Sequence, residues 1–199
     1  LLPVALTLLL AGGAQAQPAA SSIPPPRDVA YAPGTIRLEV DATNLSQRIF
    51  RVRQTIPVES GQLTLLYPSW VPGGHSPRGA IDKIAGLVFK AGDRKLEWKR
   101  DTLDVNAFHV TVPDGVSEIT AEFDFLTATG TGQGRVVMTP RMLNLQFLSS
   151  VLYPAGHYAS KILFDPRVTY PAGWTAFTAL HEQGRNGATV DYQDVPLDI

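Results

Sequence analysis

The chain has 199 residues, with 17 basic and 18 acidic side chains and a formal charge of −1. That balance gives no electrostatic case for a nucleic-acid partner or an anionic membrane surface. A hydrophobic content of 44% suits one globular domain or two small ones, and 16 Pro with 17 Gly favour a turn-rich β protein over a disordered or collagen-like chain.

In chain order, residues 1–16 read first as a signal peptide. A short apolar run from Val4 to Leu10 is followed by small residues and Ala14-Gln15-Ala16, which matches an h-region and an A-x-A cleavage site. The run is far shorter than the ~20 apolar residues of a membrane span, so no stable span is expected in the mature chain. A basic n-region and an initiator Met are missing, so the chain reads as cut at its start. Export to a bacterial periplasm or exterior is the expectation. The absence of cysteine removes disulfides, thiol nucleophiles and Cys-based zinc sites. Residues 17–30, beginning with the small and Pro-rich Gln17–Pro26, read as a Pro-rich linker, and folded sequence is expected from about Tyr31 to residue 199.

From there period-two alternation dominates, the mark of a half-buried strand. Residues 35–42 place Ile36, Leu38 and Val40 on one face and Arg37, Glu39 and Asp41 on the other. Strands are predicted next over 49–58 and 62–68. Gly86–Lys90 and Lys95–Arg100 flank Ala91–Arg94, a hairpin signal. Residues 106–112 and 116–126 flank the turn Pro113-Asp114-Gly115. Further candidates are 135–138, 143–148, 160–165, 167–171, 174–180 and 188–193, with Asn186-Gly187 in a hairpin over 183–188. Short turns are expected at 80–86 and 141–153, and no helix is predicted. The expected fold is all-β: an antiparallel β-sandwich of many short strands.

Candidate chemistry is sparse. His181–Arg185 begins like a zinc-peptidase helix, but Arg185 stands where the second histidine should be, and the adjacent Asn186-Gly187 marks a hairpin. Gly130, Gly132 and Gly134 follow a strand, but no helix pattern comes next, so they do not form a phosphate cradle. His109 reads as a surface or edge histidine, and His157 sits in a Pro-Gly loop. Glu122 and Asp124 share a solvated strand face opposite Phe123 and Phe125; Asp101 and Asp104 form a second carboxylate pair. Ser149-Ser150 lacks a nucleophile elbow. No catalytic residue and no metal ligand are assigned.

The most constrained stretch is Tyr67–Gly79. Pro72-Gly73 fits a type II turn, Pro68 and Pro77 stiffen the flanks, and Trp70 can anchor the loop. Trp70, His75 and Arg78 are therefore the candidate residues for a substrate-cleft or interdomain loop.

This stretch carries a resemblance. Trp70-Val71-Pro72-Gly73 resembles the W-x-P-G signature in the N-terminal domain of glycyl-aminopeptidase-type zinc metallopeptidases, family sixty-one among metallopeptidases. The likeness continues in Trp98-Lys99-Arg100-Asp101, in Ala107–Gly115, in Leu152-Tyr153-Pro154 and in Pro171–Trp174. Gly74-His75 stands where the family more usually has Ser-Tyr. The resemblance covers about Thr35 to the end. It implies a β-sandwich ahead of a thermolysin-like catalytic domain, often with a PDZ domain beyond. The zinc and its ligands then belong to that later domain, so this chain is expected to hold no cofactor. Its expected partners are its own catalytic domain and, through it, a peptide substrate. The rival expectation is a free-standing periplasmic sandwich that binds peptide or carbohydrate through Trp70 and Tyr67.

Overall fold

The computed structural model describes residues 22–70, 75–130 and 132–198. The signal-peptide reading of 1–16 and the Pro72-Gly73 turn lie outside the described residues. The described chain is built of short strands: β1 (Ile36–Asp41), β2 (Ile49–Pro57), β3 (Gly61–Leu66), β4 (Ile84–Ala91), β5 (Arg94–Leu96), β6 (Trp98–Arg100), β7 (Ala107–Val112), β8 (Glu118–Leu126), β9 (Val137–Met138), β10 (Leu143–Asn144), β11 (Tyr153–Pro154), β12 (Leu163–Thr169), β13 (Glu182–Asn186), β14 (Thr189–Tyr192) and β15 (Val195–Pro196). The only helical pieces among the described residues are 3₁₀ turns at Ile81–Lys83, Phe147–Ser150 and Ala159–Lys161.

Two sheets carry the fold. The larger runs β13-β14-β12-β1-β2-β8-β4-β5, with β15 also on β12; the smaller runs β11-β3-β7-β6. Their strand pairs are antiparallel except β1 with β12, which run parallel with Ile36 beside Phe164 and Val40 beside Val168. A parallel pair needs a long connection, and most of the chain lies between these two strands.

Alternation explains the layering. In β2 the buried residues are Phe50, Val52, Gln54 and Ile56; in β8 they are Ile119, Ala121, Phe123 and Phe125. Leu65, Phe108 and Val110 of the small sheet join the same core. Trp98 sits edge-on between Phe89 and Phe108, with ring centroids 6.2 Å and 5.5 Å away. Each buried aromatic or aliphatic side chain contributes about 1.5–3 kcal/mol. Gln54, Thr127 and Ser150 are the buried polar residues among those described, and Gln54 bridges two segments. The Gln54 amide donates to the Leu152 carbonyl at 2.9 Å and accepts from the Leu152 N–H at 2.7 Å. A side chain thus does a strand's work, tying β2 to the segment that leads into β11.

Several predicted strands have different bounds. Residues 95–100 do not form one strand: the chain leaves the large sheet after Leu96 and enters the small one at Trp98. Residues 160–165 and 167–171 merge into β12, because Pro166 is accommodated between the stretches paired with β15 and β14; a residue without an N–H fits where the ladder is interrupted. Residues 143–148 give only two strand residues before turning into 3₁₀ geometry. Residues 174–180 form no strand, and Phe177 is 96% exposed. The hairpins predicted at 91–94 and over 183–188 are present, the second turning at 186–189; Gly92 (φ 57°) and Gly187 (φ 60°) take the first central position of each turn, where a positive φ is required. Pro113-Asp114-Gly115 joins the two sheets rather than two paired strands.

The segment before Tyr31 is held against the fold from Ser22 onward. The Ser22 hydroxyl donates to Asp101 at 2.6 Å, Arg27 bridges to His157, and Asp28 pairs with Lys161 at 3.0 Å. These anchors run from the β6–β7 side of the small sheet to its β11 side, so residues 22–29 strap its outer face.

Candidate functional site

Strand direction defines one loop end of the molecule. β1 runs out to Asp41, β3 to Leu66 and β8 to Leu126, while β2 enters at Ile49, β4 at Ile84 and β7 at Ala107. The connections 42–48, 67–83, 101–106 and 127–136 therefore lie at this end. The first and last are stitched together: Thr127 donates to the Arg48 carbonyl from its N–H (3.2 Å) and its hydroxyl (2.8 Å).

The Tyr67–Gly79 stretch crosses here from the small sheet to the large one. Tyr67 is buried, and its hydroxyl donates to the Ser149 carbonyl at 3.3 Å; that burial raises the Tyr67 phenol pKa. The loop is pinched at its base, where the Ser69 carbonyl accepts from the N–H groups of Arg78 (2.8 Å) and Gly79 (2.9 Å). Gly79 is required there, because a Cβ would lie 1.9 Å from the Pro68 carbonyl oxygen. Trp70 leaves on the outgoing limb and is 64% exposed, so it does not anchor the loop in the core as its size suggested. His75 and Arg78 return on the other limb, both exposed, with Arg78 Nε donating to Ser76 Oγ at 3.0 Å. All three candidate residues thus face outward on one closed loop. Leu103, Val105 and Leu126 are also exposed at this end.

The structure also gathers polar groups that sequence spacing did not foretell. His109 lies on the outer face of β7, an interior strand rather than an edge. Its Nε2 is 2.8 Å from Asp101 Oδ2 and its Nδ1 is 3.0 Å from Thr64 Oγ1. Ser22 adds a hydroxyl to the same Asp101 oxygen. A Ser-His-Asp reading fails on connectivity: Ser22 and Asp101 both address Nε2, whereas a triad needs the acid on one ring nitrogen and the nucleophile on the other. Thr64 meets that connectivity, but it is the direct cross-strand partner of His109, two neighbours on one sheet face whose contact the ladder itself imposes. Asp101 also caps the β6–β7 turn, accepting from the N–H groups of Leu103 (2.8 Å) and Asp104 (3.0 Å). The Ser22 hydroxyl first, then His109 and these amides, hold the Asp101 carboxyl well below the usual carboxylate range. This cluster clamps strap, turn and strand together.

The outer face of the large sheet carries an alternating ladder: Asp191, Arg167, Glu39, Arg53, Glu122 and Lys90, across six adjacent strands. The Arg53–Glu122 and Lys90–Glu122 contacts are 3.2 Å and 2.5 Å. Glu122 and Asp124 occupy a strand face opposite Phe123 and Phe125, as predicted, and Glu122 is ion-paired there. Glu182–Arg185 lies along β13 of a hairpin, with His181 just before it and Arg185 paired to Glu182 at 2.6 Å. Among the described residues no group of three His, Asp or Glu side chains could hold a metal ion.

Comparison with known proteins follows the same lines. The family model described as Peptidase M61 N-terminal domain matches residues 37–198. Among solved structures, an aminopeptidase N family protein from Idiomarina loihiensis aligns with a TM-score of 0.63 at 16% identity, over 79% of this chain and 27% of that one. An M1 zinc metallopeptidase from Deinococcus radiodurans aligns with a TM-score of 0.42 at 14% identity, over 85% of this chain and 39% of that one. The chain thus spans well under half of either protein. No curated protein matches.

Proposed function

Because the chain belongs to the Peptidase M61 N-terminal domain family, we propose that it serves as the non-catalytic domain of an exported zinc metalloaminopeptidase, with its loop end packed on the catalytic domain. In this reading Trp70, His75 and Arg78 border the substrate cleft or the interface beside it. Zinc and the peptide-cleaving groups belong to the catalytic domain, and this chain contributes shape and contact surface.

The observation that carries the reading is the exposure of Trp70 on a loop whose base is rigidly closed. An indole left in water on a fixed support forfeits about 2–3 kcal/mol that docking would recover. Its apolar neighbours Leu103, Val105 and Leu126 share that end, which is how an interface core is composed. By contrast, the Arg and Lys side chains of the large sheet's charge ladder are neutralised within the face, which suits contact with water.

In the full-length enzyme, Trp70→Ala is expected to raise KM several-fold or to lower the melting temperature of the domain pair. Kinetics and melting both unchanged would overturn the proposal.

A further inference from the structure

The cations on the face of the large sheet and those of the loop-end depression differ in their partners. On the face of the large sheet, Arg37, Arg51, Arg53, Lys90 and Arg167 each have a carboxylate partner. At the loop end, Arg48, Arg78 and Lys83 line one open depression, and none of them is ion-paired among the described residues. The single carboxylate on its rim is Asp82, which leaves the site with an excess of two positive charges.

The depression is built. Arg48 holds a φ of 58°, the left-handed region that costs a non-glycine residue about 1 kcal/mol or more. Its carbonyl is fixed there by both donors of Thr127. Arg78 is set at the pinched base of its loop, beside Gly79. Lys83 Nζ donates to the Gln133 carbonyl, a neutral partner that fixes its position without cancelling its charge. The Gln133 side-chain oxygen already accepts from Thr129 N, Thr129 Oγ1 and Gly130 N, so its amide nitrogen is left as a further donor. Donors and positive charge held on strained or closed loops describe a receptor for an anion, and a planar guanidinium suits a carboxylate in particular.

We propose that this depression binds a carboxylate of a peptide, either its C-terminal group or an acidic side chain, through Arg48, Arg78 and Lys83. The inference rests on the loop-end reading above only for its role in the enzyme, where it would favour short or acidic peptides; the binding itself is a property of this chain. Because the site is open, its affinity is weak and falls with salt.

The test is a ¹⁵N NMR titration of the chain at low ionic strength with N-acetyl-Gly-Gly-Gly and with the same peptide as its C-terminal amide. The free acid should shift amides in 47–49, 78–83 and 127–133, and the amide-capped peptide should not. Arg78→Gln with Lys83→Gln should raise the dissociation constant at least about fivefold, the loss expected for charge-assisted hydrogen bonds at an exposed site, while leaving the rest of the spectrum in place. Equal shifts with both peptides would overturn the proposal. So would no shift up to tens of millimolar. The Trp70→Ala experiment reads docking alone, so either reading can fail while the other stands.

Discussion

Gln54 shows how much one residue can decide. It is fully buried, and its amide satisfies both backbone groups of Leu152. Shortening it to Ala leaves a buried N–H and a buried carbonyl without partners, each worth about 1–3 kcal/mol. Gln54→Ala should therefore lower unfolding free energy by about 2–4 kcal/mol in a urea titration, and a loss below 1 kcal/mol would show that the bridge is not carrying the two layers. Gln54 shares the inward face of β2 with Phe50, Val52 and Ile56, but its partner, Leu152, lies far along the chain and could not be read from that alternation. The loop residues were easier. Trp70, His75 and Arg78 stood out because prolines and glycines crowd around them, and the fold does leave them exposed on one loop. Lys83 follows Arg78 on the same connection, but Arg48 and Gln133 were not legible as their neighbours, since they lie on two other connections that meet only through the return of β8 beside β2. The Asp101–His109–Ser22 clamp was hidden for the same reason.

At the scale of elements, alternation marked the long strands well. β1, β2, β3, β7 and β8 fall close to their predicted places, as each has one apolar and one polar face. Failures came where the pattern was set by something other than burial on one face. Lys95–Arg100 alternates smoothly, yet the chain switches sheets at Glu97, so the two halves serve different layers. Pro166 suggested a break that the surrounding strands instead accommodate. Trp174–Leu180 has β-favouring residues but no ladder partner, and propensity without a partner does not make a strand. The charge ladder belongs to this scale too, because no single pair accounts for it. Glu122 stands between Arg53 and Lys90, and Glu122→Lys would set three cations side by side. Stability should fall by about 1–2 kcal/mol at low salt and recover substantially in 1 M NaCl, where the Debye length is about 3 Å. A loss that salt does not relieve would point to packing rather than charge.

For the whole molecule, the strongest signal was order. Weak motifs at Trp70, Trp98, Ala107, Leu152 and Pro171 recur in one sequence along most of the chain, and the family match over 37–198 covers the same span. The two-sheet architecture was legible because its strands are amphipathic in the ordinary way. The segregation of its surface was not: an ion-paired sheet face, a strapped small sheet and a loop end with exposed apolar and unpaired cationic groups emerge only when the connections are gathered in space. The proposed docking face is the loop end, where Trp70, Leu103, Val105 and Leu126 are exposed together. The most direct measurement is amide hydrogen exchange on this chain alone and within the full-length protein. Added protection confined to 42–48, 67–83, 101–106 and 127–136 is the predicted result. Protection on the charged face of the large sheet instead, or none anywhere, would contradict the loop end as the interface.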